Sequence, residues 1–299
     1  VEFRGVMGGL YRLSEWVMRL AGSNLLWVIC SSPFLFFLVF RFLFMQTGAS
    51  QNDILQTNWL LGIVTPFTLF PATAALFTVV RKWVMGDGDV SVFKTYFRGY
   101  KDNYRQSMIG GIFYTLLFVI MYVDYTVYMN QFPNLQLLGI IMLIFLLVLF
   151  VSLFNFFSMI AHYHMGLKDI IKNAILLSIV RPFRLFSTLL GTVALLFIGT
   201  KYPVLFIFFL ASAIAWFAFF NFYGVFLKMQ EQSEKQAAAE KEKELQADEQ
   251  LAIGDEAPSV QAQRIDIDSV SQQSMDEDVK KKLIDEAEVD ETDTKKGRI

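Results

Sequence analysis

The chain has 299 residues, of which 55% are apolar, 18% are charged and 31 are Phe, which excludes an ordinary soluble domain of this length. Its single cysteine, Cys30, lies in an apolar stretch and excludes both an intrachain disulfide and a thiol-rich metal site. Residues 1–227 carry 15 Lys/Arg against 8 Asp/Glu, while residues 228–299 carry 11 against 20, so two physically different segments join near Lys228.

Residues 1–23 predict a cytoplasmic amphipathic helix. In GLYRLSEWVMRLAG, Leu10, Leu13, Trp16, Val17 and Leu20 share one side, and Arg12, Glu15 and Arg19 the other. Val1 reads as an alternative start codon translated literally, with Met7 as the second candidate initiator. The apolar run that follows is too long, and too closely preceded by charge, for a cleavable signal peptide.

A helix needs about 20 apolar residues to cross about 30 Å of hydrocarbon. Six runs of this kind make residues 24–227 a transmembrane domain: 24–45, 59–80, 107–129, 137–161, 185–200 and 203–227. The fifth is short and carries Gly191 and Gly199, which leaves a five-span chain with a re-entrant fifth segment as the alternative. Lys and Arg concentrate before the first run, between the second and third, and between the fourth and fifth; the other connections carry only Lys201. By the positive-inside rule, both termini are expected in the cytoplasm.

The second run contains TPFTLFPATAALFTVVRKW. Pro66 and Pro71 each remove a backbone donor, so their span is expected to kink, or to break around a substrate path; Thr65, Thr68 and Thr73 are the nearest hydroxyls for the freed carbonyls. Ala72, Thr73, Ala74 and Ala75 form a small-residue surface for a close helix neighbour. Arg81 and Lys82 stop the span at the cytoplasmic surface, with Trp83 as its interfacial anchor.

In VSVFKTYFRGYKDNYRQS, the aromatics Phe93, Phe97, Tyr100 and Tyr104 and the cations Lys94, Arg98, Lys101 and Arg105 make adjoining helical stripes. They predict a helix lying in the inner headgroup layer, or a surface for docking a partner. A third amphipathic segment, LKDIIKNAILLSIVRPFRLF, places Lys168, Asp169, Lys172 and Asn173 on one face.

Two ionisable residues stand inside apolar runs, Arg41 near the outer end of the first and Asp124 near that of the third. At about 1.5 Å per residue their depths are similar, so they either reach outer water separately or meet as an intramembrane ion pair or ligand site. Asn155 and Asn221, in matching FNF pieces, fit amide bonds between helices, with Asn24 at the same level.

Catalytic signatures are scarce. His162 and His164 fall on different helical faces without a Cys or acidic partner, and GDGD at 86–89 lacks the remaining oxygens of a calcium loop. No GK[ST] phosphate loop, HExxH or GxSxG occurs, so the expectation is no enzyme, no catalytic or metal site and no cofactor. Nucleic acid is not an expected partner; the lipid bilayer is.

Residues 228–299 predict a cytoplasmic helix rich in Ala, Glu, Gln and Lys, with a Glu231–Lys235 pair, then acidic disorder beyond Leu251. One amphipathic island holds Val279, Leu283 and Ala287. The fold class is therefore all-α: a polytopic membrane protein of about six spans with cytoplasmic interfacial helices and a partly disordered acidic tail.

The pieces LYRLSEWVMRLAGSNLLW, FPATAALFTVVRKW, VFKTYFRGYKDNYRQS and LKDIIKNAILLSIVRPFR together resemble the YesL-like family of bacterial membrane proteins. FPATAALF followed by VRKW is the most specific part, and the resemblance covers residues 7–227. It implies a multi-pass plasma membrane protein often encoded beside carbohydrate importers and polysaccharide-degrading enzymes. The expected role is an accessory or regulatory component of carbohydrate uptake, with an importer complex or other membrane proteins as partners. A transporter in its own right, or a scaffold acting through the acidic tail, are the alternatives. The tail departs from the family's compact form.

Overall fold

In the computed structural model, the backbone is described for residues 6–273 and side chains for residues 9–246. All regular structure described there is helical: α1 (Val6–Cys30), α2 (Ser32–Thr47), α3 (Gln51–Val84), α4 (Val92–Asn130), a 3-10 turn (Pro133–Leu135), α5 (Gln136–His162), α6 (Leu167–Val180), α7 (Pro182–Lys201), a short α8 (Pro203–Leu205), a π-turn (Phe206–Leu210) and α9 (Ala211–Gln273). Five helices are long and apolar enough to cross a membrane, and six if α1 and α2 count as one bent span. The chain divides into two units, Val1–Lys228 and Met229–Ile299.

The first run is where the helix breaks. Pro33 lacks an N–H, and its ring opposes the carbonyl four residues earlier. Ser31 turns its hydroxyl back onto the Trp27 carbonyl at 2.6 Å, and the two pieces meet at 78°. By contrast α3 continues through Pro66 and Pro71 as one helix, so the break expected there as a substrate path is absent. Each threonine hydroxyl expected to serve the prolines bonds the carbonyl four residues before itself, on Leu61, Val64 and Leu69. The Phe67 carbonyl, which Pro71 leaves without its helical donor, instead receives the Tyr104 hydroxyl from α4 at 3.4 Å.

α3, α4 and α5 build the core. Gly99 of α4 lies against Thr78, and Gly111 against Pro66 and Phe70, so the two backbones approach where side chains are missing. The Tyr96 hydroxyl donates to the Ala72 carbonyl at 3.1 Å. Phe70, Tyr114, Phe156 and Phe157 then pack as one ring cluster, with Tyr114 and Phe156 centroids 5.0 Å apart. Tyr114 satisfies its hydroxyl on Ser152 at 2.7 Å.

Across this core, α1 runs beside α3, with the Trp16 and Trp83 rings edge to face at 5.9 Å and Trp27 Nε1 donating to Thr73 Oγ1 at 3.0 Å. Asn24 closes the break in the last span. Its Nδ2 donates to the carbonyls of Phe206 and Ile207, and its Oδ1 accepts the Ser212 N–H at 3.0 Å. These groups lie at and just past the π-turn, where regular pairing slips by one residue. Asn24 is thus not grouped with the other two asparagines. Asn155 donates to Ser178 Oγ at 2.9 Å and Asn221 to Thr188 Oγ1 at 3.3 Å, which ties α5 to α6 and α9 to α7.

In the second unit, side chains from Met229 to Gln246 are exposed, and Lys235 pairs with Glu231. The helix is assigned as far as Gln273, past Leu251 where composition favours disorder. Gly254 and Pro258 stand within it, and Pro in a helix interior costs about 3 kcal/mol. The island of Val279, Leu283 and Ala287 lies outside the described residues.

Candidate functional site

The turn between α2 and α3 sets the site. Gly48 takes a left-handed φ of 72°, and Ser50 with Asp53 forms a capping box that starts α3. The two helices therefore fold back on one another, and Arg41 Nε donates to Asn58 Oδ1 at 2.8 Å. Arg41 Nη1 is buried without a protein partner, as is Thr115 Oγ1 on α4. Both line a cavity of about 640 Å³ with Asn58, Gly62, Pro66 and Tyr122. The α4 wall repeats at helical spacing through Ile112, Thr115, Leu116, Val119, Tyr122 and Val123.

Asp124 does not meet Arg41. Gly111 lies against Pro66; counted from that contact, Asn58 is eight residues along α3 and Asp124 is thirteen along α4. At 1.5 Å and 100° per residue, Asp124 is about 7 Å nearer the α2–α3 turn and about 220° round from the contact face. The expectation of equal depth counted from the ends of the runs and did not include this register. Among the described residues, neither Arg41 nor Asp124 enters a salt bridge.

A second cavity of about 430 Å³ lies at the break between α1 and α2, lined by Trp27, Phe34, Thr73, Phe157, Thr192 and Leu210 among others. Its wall is apolar apart from the Trp27–Thr73 bond and Thr192 Oγ1, which is buried without a partner. Asn58, Thr115 and Thr192 were not singled out from sequence. Asn58 sits just outside an apolar run and had a signal of a kind; the two threonines had none, because a helix ordinarily satisfies a threonine hydroxyl on its own backbone.

The remaining residues of the motif form core. Phe70, Pro71, Ala72, Ala74 and Ala75 are buried, and the small-residue surface faces α4 through Tyr96. Trp83 is 5% exposed and packed on Trp16, not turned outward as an interfacial anchor. Arg81 Nη1 donates to the Ala161 carbonyl at 2.7 Å and so caps the end of α5. Lys82 pairs with Asp87 at 3.0 Å, and Arg19 with Asp89 at 3.1 Å, which uses the GDGD carboxylates as turn anchors.

The striped segment is not a separate interfacial helix but the first third of α4. Tyr96, Gly99 and Ser107 are its buried positions, while Phe93, Phe97, Lys94, Arg98, Lys101 and Arg105 are exposed and Tyr100 and Tyr104 half-buried. Contacts from Tyr96, Gly99, Asn103 and Tyr104 hold this segment along α3. With 39 residues, α4 is about 58 Å long and must pass well beyond a hydrocarbon layer of about 30 Å. Among the described residues, no cluster of His, Cys, Asp and Glu could hold a metal ion.

Long apolar helices packed through glycine and alanine, with polar side chains bonded between them, define a polytopic helical membrane protein. A family model described as "Protein of unknown function, DUF624" matches residues 20–125, a range that contains every residue lining the Arg41 cavity. The chain is 31% identical over 231 residues to Uncharacterized protein YteU of Bacillus subtilis (strain 168), covering 77% of this chain and 91% of that one. It is 27% identical over 234 residues to Uncharacterized protein YesL of the same organism, covering 78% and 97%. The chain belongs to this YesL-like family. No solved structure matches it.

Proposed function

We propose that the protein is a non-catalytic accessory or regulatory component of a bacterial carbohydrate uptake or utilisation system, held in the plasma membrane with both termini in the cytoplasm. The carbohydrate element rests on the family resemblance. The observation that favours an accessory over a sugar carrier is the character of the two large cavities: the one at the α1–α2 break is almost wholly apolar, and the Arg41 cavity is mainly so, with Arg41, Asn58, Thr115 and Tyr122 as its few polar side chains. A free sugar must exchange each hydroxyl's bond to water for one to protein, and an unmatched hydroxyl costs about 1–3 kcal/mol. The α1–α2 cavity has almost no donors or acceptors for that, and the few in the Arg41 cavity match a single polar head better than the many hydroxyls of a sugar. The exposed stripes of α4, with Phe93 66% exposed beside Lys94 and Arg98, supply an apolar and cationic face for a membrane or cytosolic partner.

Affinity capture of the full chain from native membranes, followed by mass spectrometry, tests this reading. An importer subunit is expected among the captured proteins and is expected to be lost from Phe93→Ser/Phe97→Ser. Sugar uptake by proteoliposomes containing this chain alone would replace the accessory role with a transporter, a reading favoured by the cavity against Pro66.

A further inference from the structure

The Arg41 cavity carries an inference independent of the carbohydrate reading. We propose that it binds one anionic phospholipid of the surrounding bilayer, with the phosphate against the Arg41 guanidinium and an acyl chain along the α3–α4 walls. A guanidinium stays charged under all protein conditions, so burial cannot be relieved by losing a proton. Arg41 spends Nε on Asn58, while Nη1 is buried and without a partner. The residue as a whole is half-buried, but its buried Nη1 still needs an acceptor, and an anion serves a guanidinium best. Among the described residues none is placed to supply one: Asp53 is engaged with Ser50 in the capping box, and Asp124 lies on another face of α4. Thr115 Oγ1, also buried and unpartnered, adds a second donor on the same cavity wall.

The mouth selects the source of that anion. Leu55, Trp59, Ile63, Phe67, Leu116 and Val119 line the cavity and are exposed, so it opens on the flank that faces hydrocarbon. A water-soluble anion would have to cross lipid to enter, whereas a bilayer lipid arrives by lateral diffusion. One cation matches a head of single negative charge, and about 640 Å³ lies within the ~300–1,000 Å³ range of ligand pockets. A fatty acid shares this chemistry, but a phosphate diester stays anionic when desolvated, whereas a buried carboxylic acid can neutralise by taking up a proton.

Native mass spectrometry of the full chain in detergent tests the proposal, with dioleoyl phosphatidylglycerol, phosphatidylcholine of the same chains, or oleate added. A one-to-one phosphatidylglycerol adduct is expected, with affinity falling about tenfold in Arg41→Gln and largely kept in Arg41→Lys. Gly62→Leu leaves every charge in place and grows into space with no atom within 4 Å of its Cβ, so it is expected to block the cavity in a folded protein. Equal affinity for the two phospholipids would overturn the proposal. So would wild-type phosphatidylglycerol binding in both Arg41→Gln and Gly62→Leu, or an adduct formed by oleate and not by phosphatidylglycerol.

Discussion

Asn24 carries more of the architecture than its size implies, because one side-chain amide meets two carbonyls and one N–H around the π-turn. Interhelical side-chain bonds within membranes contribute about 0.6 kcal/mol on average. Asn24→Ala is therefore expected to lower stability by about 2 kcal/mol, and Asn155→Ala, which loses a single bond to Ser178, by about 0.6 kcal/mol. Reversible unfolding in mixed micelles with increasing dodecyl sulfate measures both; equal losses would show that the amide clamp contributes no more than an isolated bond. Sequence exposed Asn24 as a polar residue inside an apolar run, since such a residue needs a partner. It could not name the partner, which lies more than 180 residues away.

At the scale of elements, α3 and α4 touch where side chains are absent, and this reverses the usual effect of removing a helical glycine. Ala is favoured over Gly in a helix by about 1 kcal/mol. At Gly99 an added Cβ would stand 2.7 Å from Thr78 Cβ, on a stiff branched side chain. Overpacking costs about 1–3 kcal/mol, so Gly99→Ala is expected to destabilise. Gly62 has open space around its Cβ, and Gly62→Ala is expected to stabilise by up to about 1 kcal/mol. Thermal denaturation midpoints in detergent that moved in the same direction for both variants would contradict this packing. The two glycines look alike in sequence, since each interrupts a helical pattern. Pro33 and Pro66 look alike too, yet the first stands at the start of a new helix after a break and the second within a continuous one.

For the molecule as a whole, the side chains described from Met229 to Gln246 are exposed. A chain ending at Lys228 is expected to keep its thermal midpoint within about 2 °C, since the side chains described beyond that point are exposed and exposed side chains contribute little to stability. Loss of more than that, followed by scanning fluorimetry, would mean that the acidic segment supports the membrane unit. The full chain is expected to stay in the pellet under alkaline carbonate, and tags at its two ends to report from the cytoplasm. Extraction into the supernatant would contradict the membrane assignment, and reports from opposite sides would contradict an even number of crossings.

Hydrophobic run length determined the class of this protein without its coordinates. Backbone groups cannot remain unpaired in hydrocarbon, so runs of about 20 apolar residues leave almost no alternative to spanning helices. Charge composition likewise marked the change of character near Lys228. The register between helices was decided only by tertiary structure. Arg41 meets Asn58 and not Asp124 because Gly111 seats α4 against Pro66, and that seating depends on contacts between residues far apart in the chain. Depth counted from the ends of apolar runs cannot supply it, since α3 and α4, with 34 and 39 residues, are unequal and both longer than a span requires.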